Sequence, residues 1–297
     1  MGTSRDTVFL SIAGSDPSGG AGIQADIRTA AAIGLYPCTA VTAVTVQNTQ
    51  RFTAYNPVAP AVIKAQLQAV LEDFTPEAIK IGMLCSPEAV EAVADILTEY
   101  GVANVVIDPI LGPTLARETP ESDKERSLVK AMIDRLFPLA TLVTPNLPEK
   151  ESIERVAGEK IENLCNAVLI KGGHAKDNED SIDTLIYRPV HSSDIQPSSA
   201  FPTINFAHSS LFNHDHLLPG PDDEEAGFEI REFRQKRLET RNVHGTGCIL
   251  SSAIACYLGQ QYSLTEAVRL GNRFTAEALR KSSRFEWGKG NDGPAFI

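Results

Sequence analysis

Residues 244–251 read His-Gly-Thr-Gly-Cys-Ile-Leu-Ser, and their types and spacing suit the binding of an anion and the activation of a thiol. Gly245 and Gly247 flank Thr246, and the small, apolar run from Ile249 to Leu258 has the composition of a buried helix. The unpaired N–H groups of its first turn should therefore face outward together. Cys248 stands at the head of that helix, where the macrodipole favours a thiolate. Gly245, Thr246, Gly247 and Cys248 thus form a candidate catalytic set. The same segment also suits a buried cysteine at a glycine-rich turn, and local sequence leaves both readings open.

Such a turn needs a scaffold, and the chain alternates strand-like and helix-like segments. Short apolar runs at Val8–Ala13, Thr39–Val46, Ala78–Ile81, Val105–Asp108, Leu142–Thr144 and Ala167–Lys171 read as strands. Helical patterns fall at Gly20–Ile33, Pro60–Phe74, Glu88–Tyr100, Ser127–Leu136, Glu149–Val156 and Leu264–Ser282, with a further strand at Glu229–Thr240. Short, nearly all-apolar strands between helices predict a mostly parallel sheet covered on both faces. Several strands end in polar or glycine residues, among them Gly14-Ser15-Asp16, Gln47-Asn48, Gly82-Met83, Asp108-Pro109, Pro145-Asn146 and Lys171-Gly172. In an open α/β sheet such strand ends line one cleft.

Composition narrows the partners. The formal net charge of −11 argues against electrostatic binding to nucleic acids or anionic membranes, which requires clustered Lys and Arg. Five dispersed cysteines, with no CxxC pair, give neither a disulfide framework nor a zinc site and fit a reducing cytoplasm. No apolar segment is long enough for a signal peptide or a membrane span. Residues 188–227 are rich in Ser, Pro, His and Asp and read as a surface insertion. Within it, His214 and His216 imitate a metal pair without an ordered scaffold. No internal repeat or linker divides the chain, which reads as one domain over 1–297.

Further segments form an ordered set with His244–Cys248: Gly14-Ser15-Asp16-Pro17-Ser18-Gly19-Gly20-Ala21-Gly22-Ile23-Gln24-Ala25-Asp26, Thr45-Val46-Gln47-Asn48-Thr49, Lys80-Ile81-Gly82-Met83-Leu84, Thr144-Pro145-Asn146-Leu147-Pro148-Glu149 and Val168-Leu169-Ile170-Lys171-Gly172-Gly173-His174. In their order and spacing they resemble the hydroxymethylpyrimidine/phosphomethylpyrimidine kinases, the thiamine-pathway members of the ribokinase-like family. The resemblance runs from about Val8 to Leu185 and again from about Phe233 to Ala278.

The resemblance implies a three-layer α/β ribokinase-like fold and ATP-dependent phosphorylation of 4-amino-5-hydroxymethyl-2-methylpyrimidine, then of its monophosphate. It implies that Gln47 pairs with the aminopyrimidine, since an amide offers both donor and acceptor, and that Asp26, Gly14 and Met83 shape the pocket. It assigns Cys248 as general base, where most ribokinase-like enzymes carry Asp, and the 245–248 backbone as a cradle for the transferring phosphoryl group. Asn146 and Glu149 form the family's N-x-x-E pattern, which holds Mg²⁺ largely through water; Asp108 assists. Lys171 suits nucleotide phosphates, as does Asn146, and His244 contacts phosphate or orients the loop. A homodimer is implied as well. Asn146 equally suits a helix N-cap and Glu149 a first-turn dipole partner.

The chain departs from the family at residues 110–117, at the insertion, and at Gly288–Pro294, where the glycine-rich pattern is one residue longer. Pyridoxal kinase, with the same chemistry on a different ring, is the nearest alternative. A cysteine hydrolase, with Cys at a helix N-terminus and a nearby His, and a non-catalytic pyrimidine-binding protein are the alternatives from other classes.

Overall fold

The computed structural model describes residues 7–111, 122–174, 180–189, 227–290 and 293–296. Nine strands form one sheet: β1 (Val8–Ser15), β2 (Tyr36–Asn48), β3 (Arg51–Pro57), β4 (Ala78–Ile81), β5 (Val105–Ile107), β6 (Leu142–Val143), β7 (Ala167–Ile170), β8 (Asp180–Tyr187) and β9 (Glu229–Lys236). Their order across the sheet is β3-β2-β1-β4-β5-β6-β7-β8-β9. The stretch from β2 to β7 is parallel, and β3, β8 and β9 extend it antiparallel at the edges.

The alternation of side chains along each strand divides the core between two faces. Leu10, Ile12, Ile79, Ile81, Val105, Ile107, Val143 and Val168 pack against α2 (Pro60–Leu71), α3 (Pro87–Tyr100), α4 (Asp123–Ala131) and α5 (Leu147–Ala157). Their neighbours Phe9, Ala78, Val106, Leu142 and Leu169 face α6 (Thr246–Gly259) and α7 (Leu264–Ser282), and Ala30 of α1 (Gly22–Ile33) joins them. The result is the three-layer arrangement that the resemblance implies. Helix α6 is buried all round from Cys248 to Cys256, because it lies between the sheet and the helices α1 and α7.

Two strands carry no periodic signal in the sequence. β3 is almost wholly exposed, so no apolar alternation marks it; β8 is half-buried between β7 and β9. The predicted helix Ser127–Leu136 begins earlier, at Asp123, capped by the Ser122 hydroxyl, and its last turn, Met132–Leu136, widens to π-type spacing. Most of the insertion, with His214 and His216, lies outside the described residues, as do residues 112–117 and 291–292.

Candidate active site

A cleft of about 1320 Å³ opens at the carboxyl ends of the parallel strands. That exceeds what one drug-sized ligand fills and leaves room for two substrates. Sheet order arrays its residues: Gln47 on β2, Gly14 on β1, Met83 after β4, Asp108 after β5, Asn146 after β6 and Lys171 after β7. At about 4.8 Å per strand, the row from Gln47 to Lys171 spans roughly 24 Å.

The turn before α6 crosses the middle of this row. Gly245 caps the helix at φ +84°, and a Cβ there would lie 1.9 Å from the carbonyl oxygen of Gly20. Only glycine allows both the left-handed backbone and this approach. Thr246 N–H bonds the Val243 carbonyl at 3.2 Å, whereas the N–H groups of Gly247 and Cys248 have no protein acceptor among the described residues. A Cβ at Gly247 would stand 3.5 Å from Lys171 Nζ and 3.7 Å from Asp108 Oδ2. The free amides, an ammonium and a carboxylate thus meet at one point.

Lys171 Nζ donates to Asp108 Oδ1 at 2.6 Å and lies 3.9 Å from Glu149 Oε2. Burial opposes its charge, but Asp108 and Glu149 outweigh that and raise its pKa. Asn146 and Glu149 form a capping box on α5: Asn146 Oδ1 accepts from Glu149 N–H and Glu149 Oε2 from Asn146 N–H, each at 2.8 Å. Among the described residues, no three of His, Cys, Asp or Glu converge as metal ligands. The donor set is two carboxylates, Asp108 and Glu149, which suits a hard cation that keeps much of its water.

Two expectations are corrected. Cys248 is 5% exposed, and burial pushes its thiol up to about 11 against the pull of Lys80, with Asp26 and Asp108 adding to the rise. Desolvation outweighs the attraction of Lys80 and favours the thiol over the expected thiolate. Asp26 does not border the cleft. Its carboxylate is wholly buried, taking Ser11 Oγ at 2.5 Å, Ser252 Oγ at 2.8 Å and Lys80 Nζ at 3.0 Å. It shapes the pocket only from behind.

Gly14 and Met83 meet at the other end of the cleft, where a Cβ on Gly14 would fall 2.8 Å from Met83 Cε. Gln47 is half-buried there, its amide nitrogen donating to Thr45 Oγ1 at 3.0 Å. His244 borders the cleft as part of a clasp: its Nε2 lies 2.9 Å from Asp16 Oδ2, and its backbone pairs with Gly293 and Ala295. Asp16 also accepts from the N–H groups of Ser18 and Ala21, so it folds the glycine-rich loop onto His244. Burial raises its pKa, but the bonds from His244, Ser18 and Ala21 prevail and leave it below the ordinary value.

The sequence placed Asp16 at a cleft-lining strand end without a specific role and gave none to Lys80, Asp183 or Asn272, all of which line the cleft. A signal existed for Lys80, a charge inside the otherwise apolar strand Ala78-Ile79-Lys80-Ile81. None existed for Asp183 or Asn272, whose neighbours are ordinary for an edge strand and an amphipathic helix.

The pattern describing phosphomethylpyrimidine kinases matches residues 16–203 and 224–294. The chain belongs to the phosphomethylpyrimidine kinase family. It is 36% identical to a hydroxymethylpyrimidine/phosphomethylpyrimidine kinase of Rhizobium meliloti, over 97% of this chain and 95% of that one. Among solved structures, phosphomethylpyrimidine kinase from Clostridium difficile superposes with a TM-score of 0.65 at 32% identity, covering 92% of this chain and 99% of the other. An ADP complex of Bacillus subtilis pyridoxal kinase gives 0.75 at 26% identity, covering 98% and 97%. Within this family the chain is a phosphotransferase of the ribokinase-like fold.

Proposed function

We propose that the protein transfers a phosphoryl group from ATP to the hydroxymethyl of 4-amino-5-hydroxymethyl-2-methylpyrimidine and then to the resulting monophosphate, supplying the diphosphate for thiamine biosynthesis. The observation that carries this reading is the placement of the free Gly247 and Cys248 amides, with Lys171 and Asp108, midway along a cleft whose Gln47 end is suited to an aminopyrimidine.

The amides of residues 247 and 248 hold the transferring group as charge spreads over its oxygens, and Lys171 offsets charge on the nucleotide phosphates. Cys248 takes the alcohol proton on its sulfur. Because proton transfer is late in a loose transition state, the small thiolate fraction suffices at a cost in rate. Asp108 and Glu149 would hold Mg²⁺ through water; bound there, the ion neutralises phosphate charge. With Asn146 Oδ1 engaged in its cap, its amide nitrogen is left to the nucleotide. His244 orients the turn. The same reading carries one kinase domain over 1–297 with a surface insertion at 188–227, a cytoplasmic location and a homodimer. Among the described residues no helix is long and apolar enough to cross a membrane.

The test is mass spectrometry of products after mixing the protein with Mg-ATP and hydroxymethylpyrimidine, beside a parallel reaction with pyridoxal. Mono- and diphosphate products establish both steps. Pyridoxal phosphate alone would favour the second reading, which the superposition on pyridoxal kinase supports. Turnover of an acyl substrate without ATP would favour hydrolysis, and ligand binding without ADP release a purely binding role.

A further inference from the structure

We infer that Gly290 is a positioning residue: by packing on Thr49 it fixes the hairpin tip that carries Gln47 at the pyrimidine end of the cleft. Its meaning for the reaction rests on the reading of Gln47 as the partner of the aminopyrimidine.

Gln47 stands where β2 has left the body of the sheet. Pairing of β2 with β1 ends at Val44 and Ser15, and beyond that point, among the described residues, β2 pairs only with the exposed edge strand β3. Thr45 makes a last tie inward, its hydroxyl donating to the Ser15 carbonyl at 2.9 Å. A bulge between Val46 and Gln47 then interrupts the ladder beside the residue that faces the cleft. A two-stranded ribbon is marginal by itself, so a side chain near its tip is held loosely unless the tip is braced. The turn at 48–51 is shaped from within by Asn48 Oδ1, which accepts from the N–H groups of Gln50 and Arg51.

The brace comes from the segment that follows α7. Thr49 lies against both Gly288 and Gly290, and Gly290 N–H donates to Thr49 Oγ1 at 3.2 Å. A Cβ on Gly290 would overlap the Thr49 carbonyl, and one on Gly288 its hydroxyl. Only a residue without a side chain lets the two backbones come this close. Thr49 and Gly290 both border the cleft. On either side of Gly290 the segment is anchored to the body of the protein. Before it, Asn242 donates to the carbonyls of Ser282 and Phe285, and Trp287 stacks on Phe285 with ring centroids 4.9 Å apart. After it, Gly293 N–H bonds the Arg241 carbonyl, and Ala295, wholly buried, packs with Cys248 and Ile249. Phe296 closes the segment by meeting Trp287 edge-on at 5.1 Å. The Gln47 tip is thereby clamped to the same body that carries the 245–248 turn.

Steady-state kinetics of the full-length protein with Mg-ATP and hydroxymethylpyrimidine test the inference. Gly290→Ala must push Thr49 away. It should raise the pyrimidine KM roughly fivefold to fiftyfold, with KM for ATP and the melting temperature near wild type. The comparison with Gln47→Leu separates positioning from a merely structural role. If Gly290 acts through Gln47, the double variant Gln47→Leu/Gly290→Ala has a pyrimidine KM close to that of Gln47→Leu alone; if it acts elsewhere, the two factors multiply and the inference falls.

Folded Gly290→Ala protein with the wild-type pyrimidine KM would overturn the inference, as would equal increases in both KM values. If Gly290→Ala does not fold, Thr49→Val removes the acceptor with little change of shape. That variant should raise the pyrimidine KM roughly twofold to tenfold, and Thr49→Ser should restore it. Equal pyrimidine KM in Thr49→Val and wild type then overturns the inference. Failure of the aminopyrimidine reading shows separately, as an unchanged pyrimidine KM in Gln47→Leu, and the inference would fall with it.

Discussion

Cys248 is buried, and burial decides its chemistry. With its thiol pushed up to about 11, the thiolate fraction falls tenfold for each pH unit below that value. If this group accepts the alcohol proton, kcat should rise steadily from neutral pH toward pH 9. A stopped assay across that range checks it, and a flat profile in a step limited by chemistry contradicts the role. Cys248→Ala should lower kcat by about 10²–10⁴-fold with little change in KM for either substrate. At the other end of the cleft, Gln47→Leu would leave ring nitrogen groups unpaired. It should raise the pyrimidine KM roughly fivefold to 150-fold, equivalent to about 1–3 kcal/mol, and spare KM for ATP. Steady-state kinetics with each substrate varied separates these two variants.

Two helix starts hold the reacting parts, and each is built differently. Helix α5 begins with the reciprocal Asn146 and Glu149 bonds, so a change at either residue tests structure and chemistry together. Glu149→Gln keeps an oxygen able to accept from Asn146 N–H while losing the charge. It should raise the Mg²⁺ concentration needed for half-maximal rate without lowering the melting temperature much. Asn146→Ala removes the cap and should cost about 1 kcal/mol in a denaturant titration. Helix α6 begins on a left-handed glycine with no side-chain cap, which leaves its amides open to a ligand. Gly245→Ala must abandon that backbone angle and displace Gly20; about 1–3 kcal/mol of strain alone is expected, with activity lost before the fold.

Across the whole molecule, the two cores sandwich a sheet whose carboxyl edge is the cleft, and several cysteines lie within or beside those cores. Burial raises Cys85 and Cys248 to about 11 and Cys165 to about 12, from an ordinary 9.0. A thiol whose folded pKa exceeds its unfolded value stabilises the fold fully below about pH 9. That contribution is lost as pH rises through the folded values. Melting temperature measured from pH 8 to pH 11 should therefore fall over the upper part of the range. The layers that create this burial were legible in the chain: all-apolar runs such as Ala167–Ile170 between helical patterns mark covered parallel strands. β3 was not, because an exposed edge strand needs no apolar alternation. Of the site, the 245–248 turn and the Asn146–Glu149 pair were readable from local spacing, since each is made within a few residues. By itself the sequence determined the order of the chemistry-bearing motifs and the layered fold that collects them at strand ends. Only the tertiary structure decided that Asp26 lies beneath the cleft, bonded to Lys80 54 residues away, and that Asp16 grips His244 across 228 residues. It alone decided that burial raises the pKa of the Cys248 thiol. Ionisation follows from the water and charges that the assembled fold removes or brings near, and neither is encoded in the spacing of neighbours along the chain.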